Sequence, residues 1–150
     1  MSDLTTSNDP TDVRVIYALR QPAERVFNAW LIPDQAGKWL FATDTGQMLN
    51  AEIDARVGGT FRFVDHRNGE DVEHVGEYIV IERPHRLVFD FAVPKYSALK
   101  TRVAVEIEAQ GTGCVLSLTH AGVPEEYAER THTGWMKILN GLSASLAPLH

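Results

Sequence analysis

The stretch EEYAERTHTGWMKILNGLSASL (residues 125–146) carries Ala128, His132, Trp135, Leu139, Leu142 and Leu146 at alternating spacings of four and three, and Leu149 continues the series. Such spacing places all of them on one face of a single α-helix. Running on from Pro124, a helix of about 24 residues would span roughly 36 Å at 1.5 Å per residue, long enough to cross a small sheet. A helix with one apolar stripe must bury it against another layer, so the rest of the chain has to supply an apolar face of matching size.

Upstream, the apolar period is two rather than 3.6. Val103, Val105 and Ile107 alternate with Arg102, Ala104, Glu106 and Glu108, and Gly111-Thr112-Gly113 then turns the chain into a strand over Val115–His120. Before them, Leu87, Phe89 and Phe91 follow the turn at Pro84-His85, and Val72–Glu82 follows Asn68-Gly69, a strong hairpin signal. Gly58-Gly59 leads into Phe61 and Phe63, and Leu49, Ala51 and Ile53 alternate ahead of it. Six consecutive strands with short turns predict an antiparallel meander.

Near the start, Val13, Val15, Tyr17 and Leu19 alternate in another strand. The period then changes: Val26, Phe27, Trp30 and Leu31 recur at helical spacing, and Pro22 suits the first turn of a helix over residues 22–31. Pro33 ends that helix and starts a short second one through Trp39. Residues 1–11 are polar and read as a flexible leader, leaving 12–150 as a single domain. The expected fold is α+β: a curved antiparallel sheet of about seven strands, two short helices after the first strand, and a long C-terminal helix.

With 150 residues, 44% hydrophobic and 23% charged, the chain has an ordinary globular composition. Its 20 acidic and 14 basic residues give a net charge of -6, which argues against nucleic-acid partners. No stretch reaches the roughly 18 apolar residues of a membrane span, and there is no secretory leader pattern, so no membrane partner is expected. Cys114 is the only cysteine, so no internal disulfide can form. It reads as a small buried hydrophobe in a cytoplasmic protein.

Motifs for chemistry are sparse. Gly58-Gly59 lies between strands and lacks the spacing of a phosphate-binding loop. The six histidines, His66, His74, His85, His120, His132 and His150, form no metal-ligand pattern, so neither a metal nor a cofactor is expected. Ser117, Ser143 and Ser145 lack a nucleophile elbow, and Asp90, Glu106 and Glu108 alternate outward, so no acid pair is implied and no catalytic residue is assigned. What stands out is the inward aromatic set, which includes Trp39, Phe41 and Phe91 besides the residues named below. It would either fill the core or line a pocket between sheet and helix. Gly134, just before Trp135, would let the helix approach the sheet closely.

QPAERVFNAW (21–30), GGTFRF (58–63), GEYIVIERPHRLVFDF (76–91), GTGCVLSLTHAGVP (111–124) and HTGWMKILNGLSASL (132–146) occur in an order that resembles the SRPBCC superfamily. This is the START-like, birch-pollen-allergen-like helix-grip fold, and the closest branch is the Hsp90-ATPase-activator homologues. The resemblance spans about residues 12–147. It implies a sheet gripping the C-terminal helix in a small cytoplasmic protein without assigned chemistry, while related branches bind lipids or hydrophobic compounds and some are cyclases or hydratases.

The resulting expectation is a protein that binds a small hydrophobic or amphipathic molecule in an internal cavity between sheet and helix. Trp30, Trp39, Phe61, Phe63, Tyr78, Phe89, Trp135 and Leu139 would line it, with His74 and His120 as orienting polar groups. Two alternatives are a cyclase, dehydratase or hydrolase using the same cavity, and a co-chaperone or stress-related interaction module. The eukaryotic chaperone activator resembles this chain only in its C-terminal domain, and 150 residues leave no room for its N-terminal chaperone-binding domain. Chaperone activation is therefore not expected, and a homodimer stays open.

Overall fold

The computed structural model describes residues 10–41, 46–95 and 100–146. Seven strands form one antiparallel sheet: β1 (Pro10–Leu19), β2 (Gln47–Ile53), β3 (Thr60–Arg67), β4 (Glu70–Glu82), β5 (Arg86–Ala92), β6 (Thr101–Gln110) and β7 (Gly113–Pro124). Their order is β1-β7-β6-β5-β4-β3-β2. The expected meander from β2 to β7 is present, and β1 closes its far side by pairing with β7. The first strand begins at Pro10, inside the segment expected as a leader. Thr11 pairs there with Val123, and a bulge follows before Val13.

Between β1 and β2 lie α1 (Ala23–Leu31) and α2 (Pro33–Ala36). Pro22, with φ -63° and ψ 152°, is the residue that enters α1, and Pro33 occupies the first turn of α2. After β7 a 3₁₀ turn (Glu125–Tyr127) leads into α3 (Ala128–Leu146). The 19 described residues of α3 span about 28 Å, and the helix starts three residues later than expected because Glu125–Tyr127 form that turn. Leu149 lies outside the described residues.

Asn68 and Gly69 both adopt positive φ, 53° and 76°, as a tight β3–β4 hairpin requires. Cys114 is buried on β7, as expected.

Period-two alternation puts Val15, Phe63, Leu87, Phe89, Val105 and Leu118 on the inner face, each at most 1% exposed. The helix does not cover this face alone. From α1, Val26, Phe27 and Trp30 are equally buried, so α1 and α3 divide the sheet between them.

The close approach expected at Gly134 occurs elsewhere. A Cβ at Gly134 would meet nothing within 4 Å, whereas one at Gly141 would sit 3.3 Å from the Trp39 Cβ. Gly76 shows the same need for a bare backbone within the sheet. It pairs with Phe61, and a Cβ there would fall 2.3 Å from the Phe61 ring and 2.2 Å from the Asp90 carbonyl oxygen.

His132 was expected on the buried face of α3 and is exposed. The buried series of α3 begins at Trp135.

Candidate functional site

His120 follows Cys114, Leu116 and Leu118 at period two, so β7 turns it inward. Register places it between Val13 of β1 and Val103 of β6, and it is 6% exposed. The indole N–H of Trp135 on α3 donates to His120 Nδ1 at 3.0 Å. An indole nitrogen can only donate, so Nδ1 is an acceptor, and the neutral ring carries its proton on Nε2. That proton points to Thr101 Oγ1, 2.7 Å away at the start of β6. Burial lowers the His120 pKa from 6.5 to about 4, so the ring is neutral at pH 7, as this chain of bonds requires. Thr101 accepts from His120 and keeps its own hydroxyl hydrogen to give away.

Thr101 and His120 line a cleft of about 350 Å³ at one end of the sheet. Its other walls are Phe91 and Ala92 at the end of β5, Val93 just beyond it, Val123 and Pro124 at the end of β7, Tyr127 at the end of the 3₁₀ turn, and Arg130 and Thr131 at the start of α3. The walls are mainly apolar. Arg130 sits 5.6 Å from the centre of the Tyr127 ring and is the charged residue among them.

A second cluster lies deeper. His74 on β4, opposite Phe63, stacks on Phe41 with centroids 4.6 Å apart and an interplanar angle of 14°. Burial, and next the positive charge of Arg67, lower its pKa to about 4. Phe41 also touches Phe61, Phe63, Phe91 and Trp135. Phe91 in turn lies 5.2 Å from His120, so Phe41 and Phe91 link the two histidines.

The ten residues expected to line a cavity therefore divide. His120 lines the cleft, and Trp135 stands directly behind it. Trp30 and Trp39 meet edge to face at 4.7 Å, Phe61 and Phe89 at 5.4 Å, and Tyr78, Phe63 and Leu139 are packed among them. Burial raises the pKa of the Tyr78 phenol. Thr101, Tyr127 and Arg130 had no motif to mark them, although Thr101 keeps the period of Val103 and Val105. Asp65, 0% exposed on β3, likewise continues the inward period of Phe61 and Phe63. Arg67 approaches it to 3.8 Å.

Among the described residues, no cluster of three or more His, Cys, Asp or Glu side chains is arranged to hold a metal ion, and no helix is long and apolar enough to cross a membrane. The hydrogen-bond chain itself is checkable. A long-range ¹H–¹⁵N spectrum at pH 7 should show His120 protonated at Nε2 only, and Trp135→Phe should cost about 1–3 kcal/mol by leaving Nδ1 buried without its donor. A doubly protonated or Nδ1–H ring would contradict the assignment.

A family model described as "Activator of Hsp90 ATPase homolog 1-like protein" matches residues 20–147. No curated protein matches the sequence. Among solved structures, protein CV1439 of Chromobacterium violaceum superposes with a TM-score of 0.83 at 24% identity, over 92% of this chain and 98% of that one. Protein Mll3558 of Rhizobium loti gives 0.76 at 23% identity, over 92% and 98%. DynU16, described as a protein in the dynemicin biosynthetic locus, gives 0.70 at 18% identity, over 90% of this chain and 46% of its own. These likenesses establish the fold.

Proposed function

The chain belongs to the family of Activator of Hsp90 ATPase homolog 1-like proteins, and on that premise we propose that it binds a small amphipathic molecule in the cleft between the ends of β5 to β7 and the start of α3. The observation that carries this reading is the polar pair at an otherwise mainly apolar cleft: Thr101 and His120, held in one hydrogen-bonding arrangement by Trp135. Apolar walls with a few fixed polar groups are the usual composition of a small-molecule site. The deeper interior, where the aromatic rings pack on one another, serves as the rigid support behind it.

An enzymatic use of His120 is disfavoured by the same geometry. Both ring nitrogens are engaged, and a pKa near 4 leaves little basicity for taking a proton at pH 7. An interaction surface has less support, because the exposed large apolar residues Ile16, Ile32, Leu49, Val57 and Tyr127 lie on five separate segments.

Native mass spectrometry of the purified protein, followed by solvent extraction, should reveal a stoichiometric small amphipathic adduct. Val93 is half-buried and lines the cleft just beyond β5, so Val93→Trp should fill it and remove that adduct while leaving the far-ultraviolet circular dichroism of the folded protein unchanged. An adduct that persists in Val93→Trp would place binding elsewhere and overturn this reading.

A further inference from the structure

The hydrogen-bond chain has a direction, and together with the charge across the cleft it favours one class of ligand. Trp135 can only donate, so His120 Nδ1 accepts, Nε2–H donates to Thr101, and the Thr101 hydroxyl, at the wall of the cleft, keeps its hydrogen for another partner. A group meeting Thr101 from the cleft can therefore accept this hydrogen, whereas a donor would have to share the oxygen with His120 Nε2–H. Across the same cleft stands Arg130. Glu125, Glu126 and Glu129 are exposed on the same segment and are not among the lining residues, so among the described residues Arg130 is the charged side chain that lines the space. The space of about 350 Å³ suits a fused-ring or short-chain molecule and not a long acyl chain.

We infer that the cleft takes a small apolar carboxylate, its acid group accepting from Thr101 and facing Arg130 while its body packs on Phe91 and Val123. This rests on the proposed use of the cleft for ligand binding and adds the chemistry of the ligand. His120 and Trp135 act through Thr101 as positioning residues: they fix which way the hydroxyl can donate.

The test uses three probes with one apolar body and different heads, 2-naphthoate, 2-naphthamide and 2-naphthylmethylammonium, titrated into the full-length protein and followed by ¹H–¹⁵N NMR. The acid should bind tightest, with shifts centred on Thr101, His120 and the start of α3. Removing a hydrogen bond to a charged group in Thr101→Val should weaken the acid roughly tenfold or more and abolish its advantage over the amide, while Thr101→Ser retains it. Arg130→Gln, at the exposed mouth where folding is not at risk, should weaken the acid about two- to fivefold and leave the ammonium probe unaffected or improved.

If the three probes bind the cleft equally and the variants change nothing, the carboxylate inference fails while the binding site stands. If none shifts the cleft resonances, both fail. Should Thr101→Val not fold, Arg130→Gln and Thr101→Ser decide the matter by the same comparison.

Discussion

Between pH 7.5 and pH 5 the protein is expected to lose about 4 kcal/mol of folding stability, before most carboxylates begin to titrate. His74 and His120 are each 6% exposed, and burial is the largest cause of their low pKa values of about 4, with Arg67 adding to the effect at His74. In the unfolded chain both return to about 6.5. As the pH falls below 6.5 the unfolded state takes up protons that the folded state does not, so stability is whole above that value and declines toward pH 4. Each histidine contributes about 2 kcal/mol of loss at pH 5, and the pair about 4, a large share of the ~5–15 kcal/mol of a typical domain.

Urea unfolding at closely spaced pH values would show the slope directly. His74→Phe, which keeps a ring stacked on Phe41, should remove about half of it, with the 1.36 kcal/mol per pKa unit of a single site setting the scale. A free energy of unfolding that stays flat from pH 7.5 to pH 5 would rule this out.

Phe89→Ala should cost about 3–5 kcal/mol. The Phe89 ring is 1% exposed and meets Trp30 of α1, Phe61 of β3, Tyr78 of β4 and Phe91 of its own strand. It therefore joins α1 to three adjacent strands, and its loss opens a cavity that none of them can close alone. Phe89→Leu, which keeps most of the volume, should cost less than half as much. The check is a shifted urea midpoint at unchanged slope. A loss under about 1 kcal/mol would mean the interior can collapse around the gap, contrary to the close packing described.

Much of this architecture is legible in the amino-acid sequence. The alternation of Val103, Val105 and Ile107 marked β6, the pair Asn68-Gly69 marked a hairpin, and Trp135, Leu139, Leu142 and Leu146 marked the buried stripe of α3. In each case the signal is local, because neighbouring backbone geometry dictates which side chains share a face. Asp65 is the next inward position after Phe61 and Phe63, but a carboxylate in an apolar series does not resemble core.

The candidate site was far less visible. Periodicity assigns a residue to a face but not to a depth, and depth separates Phe89, enclosed by rings, from Phe91, half-buried at the cleft. Thr101 and His120 meet because β6 and β7 pair in one particular register, and Trp135 reaches them because α3 crosses at one particular height. Gly141 rather than Gly134 takes the close contact for the same reason. Local sequence thus determined the elements, their order and their inward faces, through rules that act over a few residues. Which inward residues enclose one another, and which are left facing a space, was decided by contacts between segments up to 100 or more residues apart, as with Tyr17 and Asn140, a separation of 123. Only the assembled sheet and helices bring such contacts together.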